Sequence, residues 1–328
     1  MDTVSPATAP ATPRRTLNPR VGYTFAILNA IISGFAIYIN SIGVKLFHSS
    51  TLYTTMKNAV VGLALLIPFF FIQRNREQLR RLTRKQWALL GLIALTGGSI
   101  SYALSFRGMQ ITTPVTSALV DHTQFLMVGL LAALFLRERF GPAVWLALGV
   151  LFVGLSLGIH VNQVRLDAGA PYLIGGTLLT AGDFVIIKYA LRDVETWTVM
   201  LFKMAVGALI LVALTASTGA FAEMSTLSMR QWGFVLVTGL ILLAFTITAI
   251  MGLRHASATG VTAISAASPI ITTVLVVTFQ HTPISSIRLL GLGLILVAAI
   301  VIAIIAQRQE VRAWRARTAL PSPQEVAA

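Results

Sequence analysis

The chain has 328 residues, of which 56% are hydrophobic and 11% are charged, whereas soluble domains carry roughly 25% charged residues. This balance excludes an ordinary soluble protein and predicts one integral membrane domain. The net charge of +14 does not indicate nucleic-acid binding, because Lys and Arg lie mainly at the ends of apolar segments, and zero cysteines exclude a disulfide framework or thiolate metal site.

Ten apolar segments follow in chain order, each near the ~20 residues that a helix needs to cross ~30 Å of hydrocarbon. Before them, residues 1–20 are rich in Pro, Ala and Thr, which predicts a disordered cytoplasmic tail. After them, residues 308–328 form a basic tail, also predicted to be cytoplasmic. The predicted spans are 22–44, 52–72, 87–106, 114–136, 141–160, 171–191, 196–217, 231–252, 260–280 and 285–306.

The basic residues predict how these spans are oriented. With the N-terminus inside, the tails and the loops on their side hold 17 of the 25 Lys and Arg residues, and the richest loop is RNREQLRRLTRK. The opposite loops hold five. Because cytoplasmic loops carry the excess of Lys and Arg, both termini are predicted to be cytoplasmic, in what is expected to be a bacterial inner membrane.

The first five spans are echoed by the last five. Asn40 and Lys45 precede MKNAVVGLALL, and Asp183 and Lys188, at equal spacing, precede FKMAVGALILV. Further on, KQWALLGLIAL matches RQWGFVLVTGL, PVTSALVDHT matches GVTAISAASP, and LALGVLFVGL matches LGLGLILVAA. The alternative is chance similarity among apolar helices.

An odd number of spans in each repeat places the second copy in the opposite orientation. The sequence therefore predicts an all-α membrane protein of ten transmembrane helices in two inverted-topology halves, residues 21–161 and 170–307. Trp87 and Trp232 fall at corresponding helix starts, which favours duplication over chance.

The repeat, with SALVDHTQFLMVGLLAALFLRERFGPAVWLALGVLFVGL and its partner GVTAISAASPIITTVLVVTFQHTPISSIRLLGLGLILV, resembles the EamA domains of the drug/metabolite transporter superfamily over about residues 20–307. The resemblance implies a carrier with a central cavity lined mainly by helices 1, 3, 4, 6, 8 and 9, and members commonly export amino acids or other metabolites. An acidic residue of the family pattern matches Glu138, but the second copy, FQHTPIS, lacks it. A helix-end cap or an ion pair with Arg137 or Arg139 is the alternative to a ligand role for Glu138.

Polar side chains recur at helical spacing on five spans and could converge inside the bundle. These stripes are Asn29, Ser33 and Asn40; Ser99 and Tyr102; Ser117, Asp121 and Gln124, with His122 on the adjoining face; Thr180 and Asp183; and Ser265, Ser268 and Thr272. The candidates for substrate binding or coupling are Asn40, Tyr102, Asp121, His122, Gln124, Asp183 and Ser268.

Ionisable residues within a membrane usually face the bundle interior, because a charge at the bilayer centre costs ~2.5–3.5 kcal/mol on insertion scales. Asp121 and His122 could form a titratable proton relay or a structural pair. Asp183 could bind an amine, accept a proton, or pair with Lys188 or Lys203.

Three further residues are candidates for gating or scaffolding. Lys57 and Lys203 occupy equivalent positions in the two copies, with direct anion binding as the alternative. Pro269 removes one backbone hydrogen bond inside helix 9 and could free a carbonyl for substrate, or could simply kink the helix.

These features predict a secondary transporter, expected to export a small polar metabolite such as an amino acid by alternating access at a central cavity. Protons are the candidate coupling ion. The chain contains no G-x-x-x-x-G-K-[ST] for ATP, no H-E-x-x-H and no Asp-rich cluster, so no catalytic residue, metal or cofactor is predicted. A channel or a receptor-like structural membrane protein is the alternative. The partners expected are the metabolite and the lipid bilayer, not nucleic acid, and the substrate and oligomeric state stay open.

Overall fold

The computed structural model describes residues 18–71, 73–112, 117, 120–121, 123–138, 141–158, 167–281 and 284–318. The predicted N-terminal tail up to residue 17, and residues 319–328 of the predicted C-terminal tail, lie outside these ranges.

Within the described ranges, eight helices are long and apolar enough to cross a membrane, and two further apolar helices are shorter. This confirms the all-helical membrane fold predicted from the sequence. In chain order the helices are α1 Pro19–Gly43, α2 Ser50–Phe71, α3 Arg84–Ile111, α4 Gln124–Leu136, α5 Pro142–Gly158, α6 Ala170–Ala190, α7 Thr196–Ser217, α8 Met229–His255, α9 Ala258–Gln280 and α10 Ser286–Thr318.

Two helices run further than predicted. The third continues to Ile111, past the predicted end at 106. The tenth continues to Thr318, past the predicted end at 306. Part of the predicted basic tail is therefore helical and packs on the bundle, because Glu310 accepts a hydrogen bond from the Tyr23 hydroxyl at 2.7 Å.

The repeat is visible in how equivalent helices begin. At the start of α3, Thr83 and Gln86 form a capping box, in which each side chain accepts a hydrogen bond from the other residue's backbone N–H. At the start of α8, Ser228 and Gln231 form the same box. The two copies therefore satisfy their free helix-end donors with the same device.

Equivalent helices also end alike. Arg137 follows α4 with a φ of 56°, and His281 follows α9 with a φ of 50°. In the described chain these are the non-glycine residues with positive φ, a conformation that only a few per cent of such residues adopt. Their matching positions are a second structural sign of the duplication.

Equivalent helices of the two halves make equivalent packing contacts. The first helix packs on α8 and α9, and its counterpart α6 packs on α3 and α4. Across the two halves, α2 packs on α7 and α5 on α10. This is the arrangement of two inverted five-helix repeats. We call the end at which α1 begins and α10 finishes the terminal end.

The connection that leads into α6 lies at the other end of the bundle. Asp167 accepts hydrogen bonds there from the Thr112 hydroxyl at 2.7 Å and the Gly169 N–H at 3.0 Å. The Thr112 hydrogen bond, supported by those from the backbone, lowers the pKa of Asp167 below its usual value.

Candidate functional site

The fourth predicted span of each repeat contains a break in its helical hydrogen bonding. In α9 the Ala267 N–H bonds to Ile264 O at 3.0 Å, one residue closer than in an α-helix, and a new segment begins at Ser268. Pro269 lies in the first turn of that segment, where its missing N–H costs no helical hydrogen bond. Pro269 therefore separates two helical segments instead of kinking one continuous helix.

A matching interruption lies directly before α4, after the helical residues 120 and 121, and it contains no proline. The Thr123 N–H bonds to Val120 O at 3.0 Å, again one residue short, and the helix resumes at Gln124. In the aligned repeats Thr123 corresponds to Pro269. Broken helices of this kind commonly line substrate sites in transporters, since irregular backbone at membrane depth is tolerated where it borders a cavity.

A cavity of about 70 Å³ lies beside both interruptions. The polar stripes predicted for the first, fourth and ninth spans contribute six of its twelve lining residues. Its lining residues are Asn29, Ser33 and Ile37 of α1; Asp121, just before α4; Gln124 and Phe125 of α4; Phe184 of α6; Phe245 of α8; and Thr262, Ser265, Ala266 and Ser268 of α9.

This volume is small for a metabolite. Sites that hold small ligands usually enclose ~300–1,000 Å³, several times the volume present here. The lining helices must therefore move apart before the cavity can take a substrate larger than a few waters.

One wall of the cavity is held by Asn29. Its amide nitrogen donates to Phe245 O and to the Thr248 hydroxyl, both at 3.0 Å. Its amide oxygen accepts from the Ser265 hydroxyl at 2.8 Å. Asn29 is 1% exposed, so it joins α1, α8 and α9 and leaves little of its own hydrogen-bonding capacity for a ligand.

The cavity lining also carries a charged group. Asp121 is the ionisable side chain among the described lining residues, and Gln124 and the buried Ser268 lie on the same cavity. Three of the predicted binding residues are thus brought together. His122, predicted beside Asp121, lies outside the described residues.

Asp183 takes a different role from Asp121. Its Oδ2 forms an ion pair with Lys203 Nζ, one of the partners that the sequence left open. Asp183 is 0% exposed and Lys203 is 6% exposed. Neither lines the cavity, although Phe184, next in the chain, does. The pair joins α6 to a π-helical turn of α7, Phe202–Val206.

Glycines make room for this ion pair. A Cβ added at Gly97, in a π-helical turn of α3, would overlap the carboxylate of Asp183. A Cβ added at Gly98 would overlap Lys203 O, and one at Gly207 would lie 2.5 Å from Gly98 O. Backbones therefore approach closely around the pair, as small residues permit in membrane bundles.

The first repeat contains the equivalent pair with an amide in place of the acid. Lys57 Nζ donates to Asn40 Oδ1 at 3.0 Å, and the Tyr53 hydroxyl donates to the same oxygen at 2.8 Å. The ammonium also lies 4.5 Å from the centre of the Phe106 ring, a cation–π distance. No described carboxylate forms an ion pair with Lys57, and neither Lys57 nor Asn40 lines the cavity.

Tyr102, a predicted binding residue, lies on α3. It is half-buried, and its hydroxyl interacts electrostatically with Lys203, Asp183 and Asp121. It does not line the cavity itself.

The turn between α8 and α9 is held by acidic residues of other helices. Glu138, just after α4, accepts from the N–H groups of Ala258 at 2.8 Å and Thr259 at 3.3 Å, and from the Thr259 hydroxyl at 2.9 Å. Glu310 of α10 accepts from the Ser257 N–H at 3.2 Å. Free N–H groups at a helix start favour such negative partners. Glu138 is thus a cap, but of α9 and not of its own helix.

Cations hold the other side of the same turn. Lys188 of α6 donates to Leu253 O at 2.7 Å and Ala256 O at 2.6 Å, where α8 ends. Arg254 donates to Leu191 O, and to Val194 O at 3.2 Å. Positive groups suit helix C-termini. We call Glu138, Lys188, Arg254 and Glu310 the terminal latch, because they tie this turn to α4, α6 and α10 at the terminal end.

Residues 20–159 and 167–304 match the EamA-like transporter family. The chain belongs to this family. Among its relatives are the uncharacterized transporter YyaM of Bacillus subtilis (strain 168), 22% identical over 61% of this chain and 71% of that protein, and the pseudopaline exporter CntI of Pseudomonas aeruginosa (strain UCBPP-PA14), 24% identical over 72% and 77%. A protein of known crystal structure, 17% identical, shares the fold with a TM-score of 0.67 over 88% of this chain and 99% of its own.

In this EamA protein, sequence reasoning missed residues that act across long distances. Glu310 and Tyr23 are separated by 287 positions, and no local pattern marks them as partners. The cavity phenylalanines Phe125 and Phe184 directly follow the predicted residues Gln124 and Asp183. Their positions next to these polar residues were the only feature of the sequence that could have indicated a place on the cavity.

Proposed function

We propose that this EamA protein is a secondary carrier that exports a small polar metabolite with an amino group, such as an amino acid, by alternating access. The main support for this proposal is a cavity inside the bundle that is lined by one described carboxylate, Asp121, and lies beside the helix interruptions at α4 and α9. Their equivalence in an inverted repeat gives the site two related ways to open.

The lining suits an ammonium group on a small, partly apolar body. The Asp121 carboxylate can pair with the ammonium, while Gln124 and Ser268 can hydrogen-bond to polar atoms near it. Phe125 and Phe184 offer apolar surface on the same cavity. The buried lysines do not line it, which favours an amine over an anion as the recognised group.

The terminal latch supplies one gate. Because it holds the α8–α9 turn to three other helices, opening at the terminal end requires these hydrogen bonds to break. With both termini cytoplasmic, as the basic loops predict, the latch is the inner gate of a protein in a bacterial inner membrane. The exporter named among its relatives supports outward transport.

Proton coupling is assigned to Asp121 rather than to Asp183. Asp183 is occupied by Lys203 away from the cavity, which fits a scaffold role. Asp121 can meet both substrate and water when a gate opens, and substrate and proton can then compete for its carboxylate.

A channel and an enzyme are the competing classes. The segment GLSLG, residues 154–158, has the letters of a nucleophile elbow, but it lies within α5 and the Ser156 hydroxyl donates to Phe152 O at 2.9 Å. A nucleophile elbow needs a sharp strand-to-helix turn instead. We therefore propose no enzymatic activity.

Counterflow in proteoliposomes tests the proposal. Purified protein is reconstituted with unlabelled amino acid inside, and uptake of radiolabelled amino acids and of amine-free carboxylates is followed. We expect saturable, trans-stimulated uptake of at least one amine-bearing compound. Uptake that rises linearly with concentration and ignores internal substrate would indicate a channel.

The coupling residue is tested separately with Asp121→Asn, which keeps the shape and removes the charge. We expect this variant to lose accumulation driven by a proton gradient, while Asp183→Asn, normalised to folded protein, keeps it. Accumulation that depends on the proton gradient equally in wild type and Asp121→Asn would remove Asp121 from coupling.

A further inference from the structure

An apolar groove opens on the outer surface of the bundle near the terminal end. It holds about 420 Å³ and is lined by side chains of α3, α4 and α6. Phe135, one of them, is 72% exposed. The volume falls in the ~300–1,000 Å³ range of small-molecule sites, so the groove can take a substantial apolar ligand.

The groove leads to a cluster of cations. Tyr189 lines it near the end of α6, and its hydroxyl accepts a hydrogen bond from Lys85 Nζ at 2.9 Å. The Lys85 ammonium lies 5.3 Å and the Arg192 guanidinium 5.2 Å from the centre of the Tyr189 ring. Two cations are thus held by one ring at the mouth of an apolar groove.

These cations keep most of their charge available. Lys85 and Arg192 are exposed, and no described carboxylate forms an ion pair with either, although Asp193 interacts electrostatically with Lys85. Lys85 has two further N–H donors, and Arg192 its whole guanidinium fork. The exposed Arg84 adds positive charge beside them.

Their depth matches a lipid headgroup. Lys85 lies in the first turn of α3, and Arg192 follows the last turn of α6, so both stand where the hydrocarbon ends. From Tyr189 the groove reaches inward to Gly182, about 10 Å along the helix at ~1.5 Å per residue. A ligand that fits has an anionic head at the cations and an acyl chain along the groove.

We infer that this groove binds an anionic phospholipid, with its phosphate on Lys85 and Arg192 and an acyl chain between α3, α4 and α6. A zwitterionic lipid would place its choline or amine among these cations and bind less well. An anion without a chain would gain nothing from the apolar lining. Both apolar volume and unpaired positive charge are therefore needed.

The chain offers matched variants. A Cβ at Gly182 meets nothing within 4 Å, so Gly182→Leu can fill the groove without a clash at its first atom. Gly149→Leu, at an equally open glycine on α5, is its control. Lys85→Gln with Arg192→Gln removes the cations, and Arg230→Gln, at the repeat equivalent of Lys85, controls for loss of surface charge.

Binding is measured on delipidated full-length protein by native mass spectrometry with phosphatidylglycerol and phosphatidylcholine of identical chains. We expect phosphatidylglycerol to bind preferentially, and the double cation variant to bind it roughly 30-fold more weakly, equivalent to about 2 kcal/mol. Gly182→Leu should also weaken binding, while both controls should match wild type.

Other results would overturn the inference. Equal binding of the two lipids, or wild-type binding by the double cation variant, would remove charge recognition. Displacement of phosphatidylglycerol by inorganic phosphate would reduce the site to a surface anion site. If Gly182→Leu does not fold, the cation variant, whose changes are on the surface, still decides the outcome.

Discussion

The ion pair between Asp183 and Lys203 gives the sharpest test of how the bundle interior is held. Replacing Asp183 by Leu leaves the Lys203 ammonium almost fully buried without its partner. Removing one member of a buried pair typically costs about 3–5 kcal/mol. At an unfolding entropy of about 2.1 cal/mol/K per residue, a 328-residue chain loses about 1.5 °C of Tm per kcal/mol, which predicts a fall in Tm of about 6 °C.

Asp183→Asn should cost less, because the first repeat already uses an amide to hold its lysine, as Asn40 does for Lys57. The loss is the difference between a charged and a neutral acceptor, about 1–1.5 kcal/mol, or about 2 °C. Combining Asp183→Leu with Lys203→Met removes both charges and should recover most of the lost stability.

The assay is thermal unfolding in detergent, followed by intrinsic tryptophan fluorescence, for the single and double variants. We expect the wild type to have the highest Tm and Asp183→Leu the lowest. Asp183→Asn and the double variant should fall between them, with similar Tm values. If Asp183→Leu and the double variant unfold at the same temperature, the two side chains are not energetically coupled, and the unpaired Lys203 ammonium is not the cause of the destabilisation.

Three further changes test other parts of the fold. Gly97→Ala should lower Tm by several degrees, because its Cβ would overlap the carboxylate of the ion pair. The control Gly91→Ala, on the same helix, adds a Cβ that meets nothing within 4 Å and should be neutral or slightly stabilising. Equal effects of the two variants on Tm would contradict this prediction. Glu138→Ala should lower the free energy of unfolding by about 1–2 kcal/mol and speed amide hydrogen exchange at the start of α9, because it removes the cap of that helix. Unchanged amide exchange there would show that Glu138 is not a cap. The pKa of Asp167 is lowered in the folded state, so its stabilisation is present above the unfolded pKa and is lost as pH falls through the folded pKa. Asp167→Asn should thus lose stability near neutral pH but not in acid, and parallel pH curves would contradict this.

The fold was predictable because membrane helices are long, apolar and bounded by charge. Ten spans and their duplication could be recognised from runs such as MKNAVVGLALL and FKMAVGALILV. Helix ends were less predictable, because α10 continues to Thr318 through QRQEVRAWRART, a mostly polar segment that lacks an apolar run. That segment is stabilised by Glu310 binding Tyr23 and Ser257, which is a tertiary effect.

The site was predictable where polar residues recur on one helix face, as for Asp121, Gln124 and Ser268. Periodicity does not tell which stripes meet, so Asp183 and Asn40 were grouped with the cavity although each holds a lysine elsewhere. No proline in the sequence marks the interruption at the start of α4. Such features depend on which helices pack together, and the sequence order of one helix does not contain that information.

The most direct test of the proposed carrier asks whether transported substrate occupies the cavity. The chain has no cysteine, so Ser268→Cys gives a single thiol on the cavity, and Ser225→Cys gives one at an exposed position of the 3₁₀ helix Ala220–Thr226 between α7 and α8. Both are labelled in proteoliposomes with a membrane-impermeant maleimide, with and without an amino acid that shows counterflow. We expect this substrate to slow labelling of Ser268→Cys, with half-maximal protection near its half-saturating transport concentration, and to leave Ser225→Cys unaffected. Labelling of Ser268→Cys that is unchanged by a saturating, transported substrate would show that transport does not pass through this cavity.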